Sequence, residues 1–131
     1  MDASKGMVAW AKENASASGL AGRPVRWIVD DCVKFVEREI RRGHRYDIII
    51  MDRPLWAWPS GEIWKLEDKI YSFVELCTGV LSEDALMVLV NSYTTGLSPA
   101  VMQYILGAVV NPRFGGAVSS DEIGLPASAS T

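Results

Sequence analysis

Three carboxylates stand directly behind short runs of apolar residues, where a strand would carry them to its end: Asp30 and Asp31 after Trp27-Ile28-Val29, and Asp52 after Ile48-Ile49-Ile50-Met51. Asn91 and Ser92 occupy the same position behind Leu86 to Val90. An acid placed this way can cap a helix, bind a metal ion, or accept hydrogen bonds from a ligand's hydroxyls and amines. Capping is the economical reading of Asp30 or Asp31 alone, because Asp is among the preferred N-cap residues and helical periodicity starts at Cys32. Asp52 instead precedes an extended loop, and forming a turn is its simplest alternative role. Metal chemistry finds little support. The chain has two cysteines, Cys32 and Cys77, far apart and without a Cys-x-x-Cys pair, and one histidine, His44. That argues against a zinc site and against a disulfide scaffold. Both cysteines fall in apolar helical segments and read as buried packing rather than as attacking thiols. His44, among Arg41, Arg42 and Arg45, reads as a solvated helix-end residue.

The elements that must position these groups alternate along the chain. Ser4 is an N-cap for a helix running to about Ser18, with Met7, Trp10, Ala11 and Asn14 at helical spacing and Gly19 and Gly22 at its end. Val25 to Val29 reads as a short strand, and Cys32 to Arg42 as a helix with basic residues in its last turn. Tyr46 to Met51 is almost uninterrupted and β-branched, the pattern of a strand buried on both faces of a parallel sheet. A loop from Arg53 to Gly61 follows, then an amphipathic helix from Leu66 to Leu81 and a second buried strand from Ala85 to Val90. Ser98 and Pro99 are N-cap and N1 of a helix ending near Val110, and Gly115 to Val118 is read as a final strand. Alternating strands and helices imply right-handed crossovers and an α/β fold with a doubly wound, mostly parallel sheet. In such sheets ligands bind outside the carboxyl ends of the strands, which is where Asp30, Asp31, Asp52, Asn91 and Ser92 gather.

Composition sets the outer limits. The 131 residues are 49% hydrophobic and 22% charged, with 13 Lys and Arg against 16 Asp and Glu, a formal net charge of −3. That suits one soluble globular domain rather than a disordered chain, and no apolar run approaches the roughly 20 residues that span a bilayer. A net acidic chain does not hold nucleic acid by bulk charge, so any RNA contact is local or comes from outside this chain. No signal or transit peptide is visible, and the compartment read from this is cytoplasmic.

The wording of four ordered segments is more specific than any of these patterns. Asp2-Ala3-Ser4-Lys5-Gly6-Met7, Trp27 through Cys32, Tyr46 through Asp52, and Asn91 through Ser98 resemble the class I S-adenosylmethionine-dependent methyltransferases, within them the ribosomal RNA large-subunit branch. The resemblance runs from Asp2 to about Pro126 and implies the Rossmann-like fold of that class, S-adenosylmethionine as cofactor, and methylation of an RNA base. It also implies residue roles. Asp2 stands where the family's acid accepts hydrogen bonds from the cofactor's ribose hydroxyls. Asp31 stands where an acid holds the adenine amine, and Cys32 where the next backbone N–H meets a ring nitrogen. Asp52 and Pro54 match the Asp-Pro-Pro-aromatic segment that lies between methyl donor and target base, with Asn91 and Ser92 as weaker candidates. A sulfonium is an activated methyl donor, so alignment and exclusion of water matter more than acid–base machinery.

The resemblance also carries differences. The family's first strand and Gly-x-Gly loop would precede Asp2, and further strands would follow Gly124-Leu125-Pro126, so residues 1–131 are expected to be a partial domain. Sheet edges without partners then favour self-association. Where the family reads Asp-Pro-Pro-Ser-Phe-Gly-Arg-Gly-Pro, this chain reads Asp52-Arg53-Pro54-Leu55-Trp56-Ala57-Trp58-Pro59, one residue shorter. Single-base losses that restore the frame would produce this octapeptide, so a compensated frameshift is expected there. The competing reading is a catalytically inactive fragment or interaction module that uses Trp56 and Trp58 as a stacking or protein-binding platform. A nucleotide-binding dehydrogenase shares the fold class, but its Gly-x-Gly-x-x-Gly fingerprint is absent.

Overall fold

The computed structural model describes residues 1–53, 63–93 and 97–124. It divides into two compact units, Met1–Arg45 and Tyr46–Thr131.

In the first unit, α1 (Lys5–Ala17) starts at Ser4, whose hydroxyl accepts from the Met7 N–H, and ends where Gly19 takes a φ of 72°. The helix buries no residue, and Trp10 is 58% exposed. α2 (Cys32–Arg41) starts at Asp31, and its inner face carries the buried Val36 and Glu39. The strand expected over Val25 to Val29 reduces to a single parallel bridge, Asp2 with Val29. Asp2 alone supplies the partner groups here. Its N–H donates to the Ile28 carbonyl and its carbonyl accepts from the Asp30 N–H, each at 3.1 Å, while the Val25 N–H turns back onto the Arg23 carbonyl.

The second unit contains β1 (Ile48–Arg53), α3 (Ile63–Thr78), β2 (Met87–Ser92), α4 (Pro99–Val109) and the short α5 (Asn111–Phe114). β1 and β2 are parallel, with Ile48 opposite Met87 and Asp52 opposite Asn91. Each strand begins two residues later than its apolar run, for a hydrogen-bonding reason. Tyr46 donates to the Val80 carbonyl and accepts from Ser82, and the Asp47 carbonyl accepts from Leu86 at 2.7 Å. Those bonds stitch the exit of α3 and the entry of β2 to the foot of β1, so the ladder proper starts at Ile48. For the same reason α3 ends at Thr78 and not at Leu81: Leu81 is used in a parallel bridge to Tyr46. Ser98 caps α4 through the Val101 N–H, with Pro99 in its first turn, as the sequence pattern predicts.

Two expectations are corrected here. Residues 115–118 are not a strand. Gly115 and Gly116 take φ of 67° and 95°, and the segment is tied to α4 by Gln103, which donates to the Val118 carbonyl at 3.1 Å. Nor are β1 and β2 buried on both faces. Met51 is buried together with Ile70, Val74, Cys77, Val80, Leu81, Met102 and Ile105, which form the core of this unit. The opposite face presents Ile48, Ile50, Met87 and Leu89, and Ile50 is 63% exposed. No helix among the described residues is long and apolar enough to cross a membrane.

Candidate functional site

Each unit gathers polar residues at the carboxyl end of its parallel pairing. In the first unit the Asp2–Val29 bridge sets Asp2 beside Asp30 and Asp31. Asp30 is committed to structure: its carboxylate accepts the Asp31 N–H at 2.9 Å and forms an ion pair with Arg38. The Arg38 guanidinium holds the Asp30 carboxyl below the usual carboxylate range. Asp31 is the N-cap of α2, its Oδ1 accepting from the Lys34 N–H at 3.0 Å. Asp2 accepts from the Ser4 N–H at 2.6 Å. Asp2 and Asp31 thus each commit one carboxylate oxygen to a backbone N–H and keep a second acceptor oxygen for another donor.

Cys32 is the first residue of α2, so its N–H lies outside the helix's own hydrogen-bond ladder. Its thiol is half-buried, 3.9 Å from the Met1 sulfur, and this corrects the expectation of full burial; Cys77 is buried as expected. A cavity of about 200 Å³ opens between α1 and the Asp2 segment, lined mainly by Met1, Met7, Val8, Trp27 and Ile28 with Asp2 as its one acid. Asp31 and Cys32 do not line it.

In the second unit the register opposes Asp52 to Asn91, and the Asn91 amide donates to the Asp52 carboxylate at 3.3 Å and to the Tyr93 hydroxyl at 2.8 Å. Ser92 is opposite Arg53. Pro54, Trp56 and Trp58 lie outside the described residues, as does the octapeptide for which a frameshift is expected beyond Arg53. Among the described residues no group of three or more His, Cys, Asp and Glu is placed to hold a metal ion.

Sequence reasoning missed Tyr93 and Glu39. Tyr93 stands just past the end of β2, and its hydroxyl accepts from the Asn91 amide. Glu39 is fully buried, with Arg42 donating to it at 3.2 Å and the His44 Nδ1 at 2.8 Å. His44 itself is half-exposed at the end of α2, in agreement with its expected position.

No family model matches the chain, and no curated protein sequence does. Among solved structures, the chain is similar to the SAM-dependent methyltransferase from Agrobacterium tumefaciens, with 38% sequence identity and a TM-score of 0.68. The match covers 79% of this chain and 34% of that one, so this chain spans about a third of the length of its relative. At that identity and similarity, the parallel strands and the helices beside them form an incomplete α/β, Rossmann-like fold similar to part of that SAM-dependent methyltransferase.

Proposed function

We infer that residues 1–131 are part of an S-adenosylmethionine-dependent methyltransferase domain that methylates a base of RNA, ribosomal RNA by the wording of its motifs, in the cytoplasm. The observation that carries this reading is the 38% identity to a SAM-dependent methyltransferase across 79% of the chain in a shared fold. The donor set agrees with it. The cofactor's ribose hydroxyls and adenine amine are hydrogen-bond donors, and Asp2 and Asp31 each keep an acceptor oxygen beyond the one used locally.

In this reading Asp2 holds the ribose, and Asp31 with the Cys32 N–H holds the adenine. When bound, S-adenosylmethionine supplies a methyl group already activated by its sulfonium. The protein's own work is then to bind, orient and keep water out, and the described residues need no proton relay for it. The resemblance assigns the acceptor base to Asp52 and Pro54.

Asp31 allows the ligand role to be separated from the capping role. Asp31→Ser keeps a capping oxygen and removes the carboxylate, so it leaves folding stability nearly unchanged while weakening S-adenosylmethionine binding about tenfold, as loss of a hydrogen bond to a charged group would. Asp31→Ala also removes the cap and costs about 0.5–2 kcal/mol of stability. Calorimetric titration with the cofactor and urea unfolding read the two effects. A protein that carries these residues together with the rest of such a domain and still does not bind S-adenosylmethionine at millimolar concentration, as expected of an interaction module built on Trp56 and Trp58, overturns the reading.

A further inference from the structure

Charge is unevenly divided between the two units. Residues 1–45 carry nine Lys and Arg against six Asp and Glu, a net +3, whereas residues 46–131 carry four against ten, a net −6. The basic excess is most concentrated in the turn that ends α2, Arg41-Arg42-Gly43-His44-Arg45, which holds no acid. A helix C-terminus favours cations in its last turn, and Arg38 and Arg41 meet that preference. Arg45 lies beyond the helix and is not explained by it.

The turn is built from beneath. Gly43 takes a φ of 69° and donates its N–H to the Ile40 carbonyl, and the His44 N–H donates to the Glu39 carbonyl, each at 3.0 Å. Glycine just past a helix end permits this double closure. Below it, the fully buried Glu39 carboxylate accepts from Arg42 and from the His44 Nδ1, so both side chains are held on one anchor with about half of each exposed. Arg41 and Arg45 carry charge that no acid meets. Arg41 is exposed and joins no ion pair among the described residues, although Glu37 stands one turn before it. Arg45 is exposed too, and its Nη1 donates to the neutral His44 carbonyl at 3.0 Å.

Two positive charges without a counter-charge thus stand on an ordered surface, flanked by Arg42 and His44. A guanidinium presents its donors in a planar fork that matches phosphate oxygens. The ten residues of α2 separate this turn from Asp31 by about 15 Å, so it stands at the opposite end of the helix from the residues assigned to the adenine.

We propose that the Arg41–Arg45 turn is a phosphate-contact surface for the backbone of the RNA, with Arg41 and Arg45 supplying the charge. The choice of RNA rests on the methyltransferase reading above. A chain of net charge −3 does not hold RNA by bulk attraction, so an ordered cluster on its basic unit is where a local contact forms. Such contacts fix position and carry no base preference. An anionic lipid surface also attracts arginines, but peripheral membrane helices add apolar groups that insert beside the charges, and this turn contains none.

Fluorescence anisotropy of the full chain with a short labelled single-stranded RNA of mixed sequence, over a series of salt concentrations, makes the test. Binding on the order of 10⁻⁴ M is expected at low salt. Arg41→Gln together with Arg45→Gln weakens it about tenfold and lowers the slope of log K against log salt by about 1.4, the value for two lost contacts to a single strand. Lys5→Gln together with Lys12→Gln removes the same charge from α1 of the same unit and leaves affinity and slope nearly unchanged. All four positions are exposed, so both variants keep the fold, which urea unfolding checks. Absence of RNA binding at low salt, an equal loss in the two double variants, or an unchanged slope without Arg41 and Arg45 overturns the proposal. So does binding to phosphatidylserine vesicles, lost in the arginine variant, in a chain that ignores RNA. The methyltransferase reading stands or falls separately, on cofactor binding by the fuller domain. RNA binding that depends on Arg41 and Arg45 survives the loss of that reading, whereas failure of the salt slope removes this inference alone.

Discussion

Two adjacent aspartates, Asp30 and Asp31, have opposite fates because their carboxylates meet different groups. Asp31 faces the open start of α2 and satisfies the Lys34 N–H, while Asp30 meets Arg38 from the same helix, whose guanidinium also lies 5.6 Å from the centre of the Phe35 ring. A carboxyl held below its unfolded value contributes stability above that value, about 3.9, and the contribution disappears as pH falls through the folded value. Replacing Arg38 by Met therefore destabilises the chain at neutral pH, and the pH-dependent part of the difference from wild type vanishes in strong acid. Urea unfolding at a series of pH values checks this. A stability difference that stays constant from neutral pH to pH ~2 would contradict the assigned role of the pair.

At the scale of elements, caps and glycines set the boundaries that the site depends on. Ser98 ties its hydroxyl to the Val101 N–H and Pro99 follows in the first turn, so α4 starts at a defined point behind β2. Ser98→Ala is expected to cost about 1 kcal/mol in chemical unfolding, whereas Ser98→Asp retains the cap and most of the stability. A cost within error of zero for the alanine variant would mean that this end of α4 is held by packing alone. Gly115 ends α5 at φ 67° and ψ −156°, a region essentially restricted to glycine, which explains why the expected strand at 115–118 cannot continue from that helix as a regular ladder. β1 and β2 show how pairing overrides propensity. Tyr46 and Asp47 lie within the segment expected to be strand, but their backbone bonds go to the segments leaving α3 and entering β2.

Across the whole chain, the apolar side chains of Ile48, Ile50, Met87 and Leu89 form a stripe on the face of the sheet opposite Met51, continuous with the cluster at Asp52 and Asn91. Such a stripe in water favours association. Sedimentation velocity is expected to show mass rising with concentration, and Ile50→Lys to shift the distribution toward monomer. A wild-type chain that stays monomeric across the accessible concentration range would rule out association through this stripe.

What was legible from residue order alone was whatever depends on local chemistry: the caps at Ser4, Asp31 and Ser98, the alternation of helix and strand, the parallel α/β class, and the arrival of acids at strand ends. These are set within a few residues by capping preference and apolar period, so one-dimensional information suffices. Only tertiary structure decided the rest, because it depends on groups distant in sequence meeting one another. It reduced the run at Val25 to Val29 to one bridge, since Asp2 offers a single N–H and a single carbonyl to pair. It left one face of β1 and β2 uncovered although both strands read as wholly buried. It put the carboxylate of Glu39, an ordinary surface residue by its type, in a fully buried position against Arg42 and His44. And it set Asp52 beside Asn91, a pairing that follows from register, which is determined by how two strands align in space and not by either strand's own residues.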